Sequence, residues 1–152
     1  SGLPYEMGLI KNKYVGRTFI QPTQALREKG VKMKLSPVKS IVKGKRIVLV
    51  DDSIVRGTTS LKIVSMLREA GATEVHVRIG SAPLKYTCFY GVDIHTPEEL
   101  ISSSHSVDEV CKIIGADSLA FLSHEGMLRA GRRDDLCLAC FNAKYPTKLY
   151  EE

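Results

Sequence analysis

An apolar run that ends in two carboxylates and leads into a glycine and hydroxyl loop constrains the fold more than any other feature. Residues 46–50 (RIVLV) are rich in β-branched side chains and too continuous for a half-exposed strand. We therefore expect a central parallel strand that is covered on both faces. Asp51 and Asp52 end this strand, and the run Gly57-Thr58-Thr59-Ser60 then enters a segment of helical periodicity. The order strand, loop, helix is typical of α/β proteins, whose ligands bind at the carboxyl ends of parallel strands.

The segments that follow continue this alternation. Apolar residues recur at helical spacing after Ser60 until Gly71, which predicts a helix that stops at this glycine. Residues 74–79 predict a second strand, and the run 80–83 (GSAP) ends it. We therefore expect a βαβ unit.

Two capping-box patterns predict further helices. Residues 96–99 (TPEE) and 106–109 (SVDE) each place a hydroxyl three residues before a glutamate, and the second helix should stop at Gly115. Residues 117–122 predict a further buried strand, and residues 129–152 an irregular tail that contains cysteines.

Length and composition indicate a single soluble domain over residues 1–152. The hydrophobic content is 43% and the charged content 26%, which suits a chain with a buried core. No segment approaches the roughly 18 apolar residues of a membrane span, and residues 1–5 lack the features of a signal peptide. We therefore expect a cytoplasmic protein with no membrane partner.

Positive charge is concentrated near the amino terminus. The net charge is +5, and the stretch from Lys11 to Lys34 holds seven basic residues and a single acid, Glu28. Its glycines and proline favour a mobile basic loop, with a solvated surface connection as the alternative. Charge alone does not say which anion the chain binds.

The run from Asp51 to Ser60 contains complementary groups for a phosphorylated sugar. Backbone amides at the start of a helix and nearby hydroxyls can cradle a phosphate, and Gly57 lets the backbone approach closely. Asp51 and Asp52 would repel that phosphate, so they suit sugar hydroxyls or a magnesium ion. The alternative is a strand, turn and helix without a phosphate, which explains each residue but not their joint spacing.

These residues resemble the phosphoribosyl diphosphate (PRPP) fingerprint of type I phosphoribosyltransferases. Stretches elsewhere resemble one family within this group, the glutamine PRPP amidotransferases, and within it the branch that contains an iron-sulfur cluster. The stretches are residues 5–12 (YEMGLIKN), 16–22 (GRTFIQP), 88–91 (CFYG), 98–100 (EEL) and 137–140 (CLAC).

The resemblance implies a fold and an activity. The fold is the α/β type I phosphoribosyltransferase fold, a twisted and mostly parallel sheet flanked by helices, which we expect to be incomplete at its N-terminal side. The family makes 5-phosphoribosylamine from PRPP and ammonia in de novo purine synthesis. A glutaminase domain supplies the ammonia, and neither this domain nor the loop with the pyrophosphate-binding serine is in this chain. We therefore expect the chain to be inactive alone, the full-length enzyme to be a homo-oligomer, and purine nucleotides to inhibit it.

The resemblance also implies roles for individual residues. Asp51 and Asp52 bind the ribose hydroxyls or magnesium, residues 11–34 form a flexible active-site loop, and Lys11 and Arg17 contact pyrophosphate. The remaining PRPP-binding residues are Arg56, Gly57, Thr58, Thr59 and Ser60. Ammonia needs no strong base, so we expect no catalytic role for the histidines, which are His76, His95, His105 and His124.

The cysteines suggest a metal site. Cys137 and Cys140 are spaced as one edge of such a site, and the resemblance assigns them with Cys88 to a [4Fe-4S] cluster. The family's fourth cysteine lies outside this chain, so the cluster is expected to be incomplete or lost. Zinc, with a histidine or Cys111 as fourth ligand, is the alternative, although Cys111 lies in a helical pattern that favours burial.

Two other functions compete with this enzyme. A regulatory module that binds PRPP and DNA would suit the positive charge, but no DNA-reading element is recognisable and we expect no nucleic-acid partner. A salvage phosphoribosyltransferase would need a surface that stacks on a base, which the sequence does not show. Neither alternative explains the cysteines.

Overall fold

The structure is a computed structural model that describes residues 2–11, 35–92, 94 and 96–148. The strands are β1 (Leu9–Lys11), β2 (Leu35–Pro37), β3 (Arg46–Asp51), β4 (Glu74–Ile79) and β5 (Ser118–Phe121). The helices are α1 (Lys39–Val42), α2 (Thr58–Glu69), α3 (Ile101–Ser104), α4 (Val107–Ile114), α5 (His124–Gly131) and α6 (Ala139–Asn142), and a 3₁₀ turn spans Pro97–Glu99. Among the described helices, none combines the length and the apolar character that a membrane crossing requires.

The strands form two sheets. β1 and β2 pair antiparallel, whereas β3, β4 and β5 form a parallel sheet in that order. Asp51 lies opposite Ile79, and Ile79 lies opposite Phe121. The carboxyl ends of all three strands therefore lie together at one end of the sheet, which is where ligands bind in open α/β sheets.

The main hydrophobic core lies between one face of the parallel sheet and helices α2 and α4. Leu67 from α2, Val75 and Val77 from β4, and Val110 and Ile114 from α4 are almost completely buried. Alternate residues of each strand face this core because successive side chains of a strand point to opposite faces. The α/β prediction with a parallel sheet and packed helices is confirmed.

The prediction that β3 is a central strand covered on both faces is wrong for the described structure. β3 lies at one edge of the sheet, and the side of the sheet opposite the helices leaves Val48 45% and Val50 72% exposed. The continuous apolar run could not reveal this, because the position of a strand within its sheet depends on the path of the whole chain.

Most predicted elements form with bounds close to those expected. β4 spans the predicted residues, α2 ends before Gly71, and α4 begins at the capping box of Ser106 and Glu109 and ends at Gly115. The other capping box is wrong: Thr96 makes no side-chain cap hydrogen bond, and the turn after it is 3₁₀ rather than α-helical.

The tail from residue 129 onwards is not irregular throughout, which corrects that prediction. The last turn of α5, which ends at Gly131, lies within it. The N-cap of this helix is Ser123, whose hydroxyl accepts the amide of Gly126 at 3.0 Å. α6 adds one turn around Cys140. Elements this short carry too few residues to show a period. Residues 149–152 lie outside the described residues.

Candidate functional site

Two carboxylates, those of Asp51 and Asp52, lie at the carboxyl end of β3. Asp51 is half-buried, and its Oδ1 accepts the backbone N–H of Asp52 at 3.0 Å. Burial raises the pKa of Asp51; the hydrogen bond from Asp52 opposes this shift, and the nearby charge of Asp52 adds to it. Asp52 is exposed and accepts a hydrogen bond from the Ser53 hydroxyl at 3.1 Å. A partly desolvated carboxylate beside an exposed one is an arrangement that a cation or a hydroxyl donor would stabilise.

Helix α2 begins with free capacity for an anion. Gly57 precedes it in the left-handed conformation (φ 75°), no side chain caps the helix, and its first turn contains no acidic residue. The amides of Thr58, Thr59 and Ser60 belong to the first turn, where no carbonyl within the helix is available to them. The partial positive charge of the helix start favours a phosphate at this place. The predicted cradle from Gly57 to Ser60 therefore has the required local geometry.

Arg56 is placed differently from the other predicted PRPP-binding residues. Its guanidinium forms an ion pair with the Glu99 carboxylate, which lies 43 positions away in the 3₁₀ turn. Sequence reasoning missed Glu99, because the capping-box pattern assigned it to a helix start. No local signal could have joined it to Arg56.

Ser81 is a second residue that the sequence analysis missed. It follows β4 at the carboxyl ends of the parallel strands, and its hydroxyl oxygen is buried without a hydrogen-bond partner among the described residues. Most buried polar groups in proteins have a partner, so this hydroxyl has capacity for a water or a ligand atom.

The predicted pyrophosphate contacts are only partly described. Lys11 is exposed at the end of β1 and lies opposite Leu35 of β2, so it belongs to the two-stranded sheet. Arg17 and the rest of the basic loop up to residue 34 lie outside the described residues. The proposed roles of Lys11 and Arg17 stay predictions.

The histidines contact ordinary neighbours. His76 lies between Glu74 and Ser118, with both ring nitrogens 2.8 Å from oxygen atoms of those side chains. His105 contacts Ser104, and the ring of His124 lies 6.3 Å from that of Phe141. His95 is outside the described residues.

Three cysteines lie near one another, and Cys140 packs against a smaller apolar cluster that contains Leu84, Ile94 and Leu100. Burial raises the pKa of the Cys140 thiol; a backbone hydrogen bond opposes this shift, and the nearby charges of Cys88 and Cys137 add to it. The carbonyl of Cys140 accepts amides from Lys85 and Tyr86 at 3.0 Å, which ties α6 to the segment that carries Cys88. The segments that carry the predicted cluster ligands are therefore neighbours in the fold.

Cys111 does not belong to this group. Its thiol donates to the carbonyl of Ala116 at 3.3 Å. Burial raises the pKa of this thiol, as expected for a cysteine packed in a helix; the charges of Asp108 and Asp117 add to the shift, and that of Arg78 opposes it. The alternative in which Cys111 completes a zinc site with the other cysteines is wrong.

No group of three or more His, Cys, Asp or Glu side chains within the described part of the chain is arranged to hold a single metal ion. Three thiols that surround a cluster of several irons lie farther apart than three ligands of one zinc ion. Asp51 and Asp52 are two carboxylates, which suits a magnesium ion that completes its shell with water and substrate phosphates.

Comparison with known proteins identifies the family. The model of the phosphoribosyl transferase domain matches residues 2–82, which include the whole run from Asp51 to Ser60. The chain is similar to the amidophosphoribosyltransferase of Bacillus subtilis (strain 168), with 65% identity over 158 residues that cover 100% of this chain and 33% of that protein. It is also similar to that of Methanocaldococcus jannaschii, with 59% identity over 98% of this chain and 32% of the relative. The chain thus spans about a third of the length of these relatives.

Two solved structures are similar to this chain in both fold and sequence. Glutamine PRPP amidotransferase from B. subtilis, complexed with ADP and GMP, matches with a TM-score of 0.85 and 66% identity over 99% of this chain and 34% of that chain. A second structure, described as the allosteric regulatory enzyme of purine biosynthesis, matches with a TM-score of 0.84 and 65% identity over 100% of this chain and 34% of its own. The resemblance to amidophosphoribosyltransferases and the type I fold are thereby confirmed. The chain belongs to the phosphoribosyl transferase domain family.

Proposed function

We propose that this chain binds PRPP and provides the phosphoribosyl-transfer part of an amidophosphoribosyltransferase. The whole reaction would form 5-phosphoribosylamine, pyrophosphate and glutamate from PRPP, glutamine and water, in the first step of purine synthesis. The observation that carries the proposal is the uncapped start of α2 at Gly57, directly downstream of the carboxylates of Asp51 and Asp52. This arrangement matches a sugar phosphate, with anionic and hydroxyl groups on the same molecule.

We assign each part of PRPP to residues whose charge or hydrogen-bonding groups complement it. The amides and hydroxyls from Thr58 to Ser60 would hold the 5-phosphate, and Asp51 and Asp52 would accept hydrogen bonds from the ribose hydroxyls. Positive charge develops on the ribose ring as pyrophosphate leaves, and nearby carboxylates stabilise it. Lys11 and Arg17 would contact the departing pyrophosphate, with residues 11–34 closing over it to exclude water.

Magnesium fits the same end of β3. Burial has already raised the pKa of Asp51, so a bound cation would offset the cost of its negative charge. When bound, magnesium supplies charge neutralisation on the pyrophosphate. Purine nucleotides share a 5-phosphate with PRPP, so we propose that the inhibitors of this enzyme occupy the same cradle. We assign ammonia supply to a glutaminase domain and the full enzyme to a homo-oligomer in the cytoplasm, where the reduced state of its free cysteines would persist.

A [4Fe-4S] cluster fits Cys88, Cys137 and Cys140. Thiolates are the ligands that such clusters take, and the amide of Tyr90 lies 3.4 Å from the Cys88 sulfur, as a donor to a negatively charged ligand would. Three cysteines leave one ligand to be found elsewhere. Iron analysis and visible absorption of anaerobically purified protein test the assignment, with Cys140→Ser expected to lose iron and Cys111→Ser to keep it. Stoichiometric zinc would contradict it.

Titration calorimetry of the chain with PRPP and magnesium tests the binding function directly. A chimera, in which residues 1–152 replace the matching third of the B. subtilis amidophosphoribosyltransferase, tests the activity. We expect the chimera to form phosphoribosylamine from PRPP with either glutamine or ammonium, and the 152-residue chain alone to bind PRPP without turning it over. A chimera that binds PRPP but transfers to a purine base instead of ammonia would overturn the proposal.

A further inference from the structure

We infer that Glu99 is a positioning residue for the phosphate cradle, which it orders by holding Arg56. This inference rests on the proposed PRPP-binding function, and it changes the role of Arg56. The guanidinium would not be a free charge that meets the substrate. It would instead connect the cradle to the segment between residues 96 and 101.

Three successive residues of the loop contact this segment. The carbonyl of Val55 accepts the amide of Ile101 at 2.8 Å, and the guanidinium of Arg56 pairs with Glu99. A β-carbon placed on Gly57 would lie 2.9 Å from Cδ1 of Ile101, so the Ile101 side chain closes the space beside the glycine. The loop is therefore held at a hydrogen bond, an ion pair and an apolar contact in direct succession.

The segment that carries Glu99 is itself anchored. Leu100 is 1% exposed and belongs to a small apolar cluster with Leu84 and Ile94, against which Val55 also packs. The amide of Leu100 donates to the carbonyl of Pro97 at 3.0 Å, which closes the 3₁₀ turn. Glu99 thus projects from a rigid base, and a rigid base is what a positioning residue needs.

The solvent exposure of the Arg56–Glu99 pair indicates that the pair orders the loop and contributes little electrostatic stabilisation. The Arg56 side chain is 48% exposed and that of Glu99 is 33% exposed, so solvent screens the pair and its contribution is modest. Arg56 directly precedes Gly57, the residue that turns the chain into α2. Fixing this one side chain therefore limits the backbone angles from which the amides of Thr58 to Ser60 point at a ligand.

The test compares Glu99→Ala, Arg56→Ala and their double variant, with Glu98→Ala as the matched control. Glu98 is an exposed carboxylate in the same turn and makes no ion pair with a described residue. We expect the Kd of PRPP with magnesium to rise about fivefold in each single variant, and no further in the double variant, because the pair acts as a unit. Glu98→Ala should bind as the parent chain does.

Hydrogen exchange of the backbone amides of Leu61 and Ile101, which donate to the carbonyls of Gly57 and Val55 in the ligand-free chain, supplies a readout that a purely global loss of stability would not single out. Exchange at these amides should accelerate in Glu99→Ala while exchange in β4 stays slow, and the exchanged pair Arg56→Glu with Glu99→Arg should restore both exchange and binding. Unchanged exchange and Kd in Glu99→Ala would overturn the inference. Tighter PRPP binding in Glu99→Ala would overturn it too, since Glu99 would then compete with the substrate for Arg56. A parent chain that does not bind PRPP would instead overturn the proposed function.

Discussion

Helices α2 and α4 begin in opposite ways. α4 begins with a complete capping box, in which the Glu109 carboxylate accepts the amide of Ser106 at 2.7 Å and the Ser106 hydroxyl accepts the amide of Glu109 at 3.3 Å. α2 begins at a left-handed glycine with no capping side chain and no acid in its first turn. The first arrangement satisfies the helix from within the chain, and the second leaves its donors for a ligand.

The carboxylates near the two helix starts differ in the same sense. Hydrogen bonds from Ser106, the backbone amide first and the hydroxyl next, lower the pKa of Glu109. Burial raises the pKa of Asp51, which precedes α2. A carboxylate that stabilises its own fold is more easily ionised, whereas one kept for a ligand bears a cost in the free protein. The start of α4 is thus satisfied by the chain itself, whereas the start of α2, where we propose that PRPP binds, keeps unused donors beside a carboxylate with a raised pKa.

The largest effect is expected for Asp51→Asn. The variant keeps the shape and the hydrogen bond from Asp52 but removes the charge that would meet a ribose hydroxyl or magnesium. We expect the affinity for PRPP with magnesium to fall about tenfold to a hundredfold, the range for hydrogen bonds to charged groups. Titration calorimetry measures this, with Asp134→Asn as the control at an exposed carboxylate after α5. Equal affinity in Asp51→Asn would remove this carboxylate from the site.

Gly57→Ala tests the start of α2 itself. A side chain at φ 75° is strained by about 1–2 kcal/mol, and the β-carbon would meet Ile101. We expect the free energy of unfolding to fall by about 2 kcal/mol and PRPP affinity to fall about tenfold. Gly115→Ala is the matched control, because Gly115 has φ 71° but open space around it. Its strain should lower stability without changing affinity; a loss of affinity there would show that the effect of Gly57→Ala is global.

Thr58→Glu would make the start of α2 resemble that of α4. Thr58 is exposed at the first position of the helix, so a glutamate there should stabilise α2 by about 0.3–1 kcal/mol. The same charge repels a phosphate, and we expect PRPP affinity to fall about fivefold. Thr58→Gln is the neutral control of equal size. If both variants bind PRPP equally, the phosphate does not lie at this end of the helix.

Ser106→Ala should affect stability and leave binding intact. Removing an N-cap hydroxyl costs about 1 kcal/mol, which chemical denaturation measures. PRPP affinity should stay within about twofold of the parent, because α4 stabilises itself through this cap and offers no donors to the ligand. A large loss of affinity would contradict the division of roles between the two helices.

The smallest expected effect is a pH dependence of opposite sign at the two helix starts. The raised pKa of Asp51 means that its contribution to stability is present below its unfolded pKa and is lost as the pH rises through the folded value. The lowered pKa of Glu109 means that its contribution is present above the unfolded pKa and is lost as the pH falls through the folded value. At neutral pH, Asp51→Asn should therefore unfold at a higher temperature than the parent, and Glu109→Gln at a lower one.

Thermal unfolding between pH 3 and pH 7 measures both differences, and each should shrink towards the acid end of this range. An Asp51→Asn variant that is less stable than the parent at pH 7 would show that the carboxylate stabilises the free protein.

The sequence by itself determined the features that depend on neighbours along the chain. The strand of residues 74–79, the helix that stops before Gly71, the capping box of Ser106 and the motif from Asp51 to Ser60 all follow from spacings of a few residues. Hydrogen bonds and helix periodicity act over such distances, so these elements were predictable. The resemblance to the amidotransferases rested on the same short motifs.

Only the tertiary structure decided which distant residues meet. Among the described residues, it put β3 at the edge of the parallel sheet and left Thr96 without a capping role. It also brought Cys88 near Cys140 and gave Cys111 other neighbours. It also paired Arg56 with Glu99, which lies 43 positions away in the sequence. The physical reason is that contacts between residues far apart in sequence depend on the path of the whole chain, which no local spacing encodes.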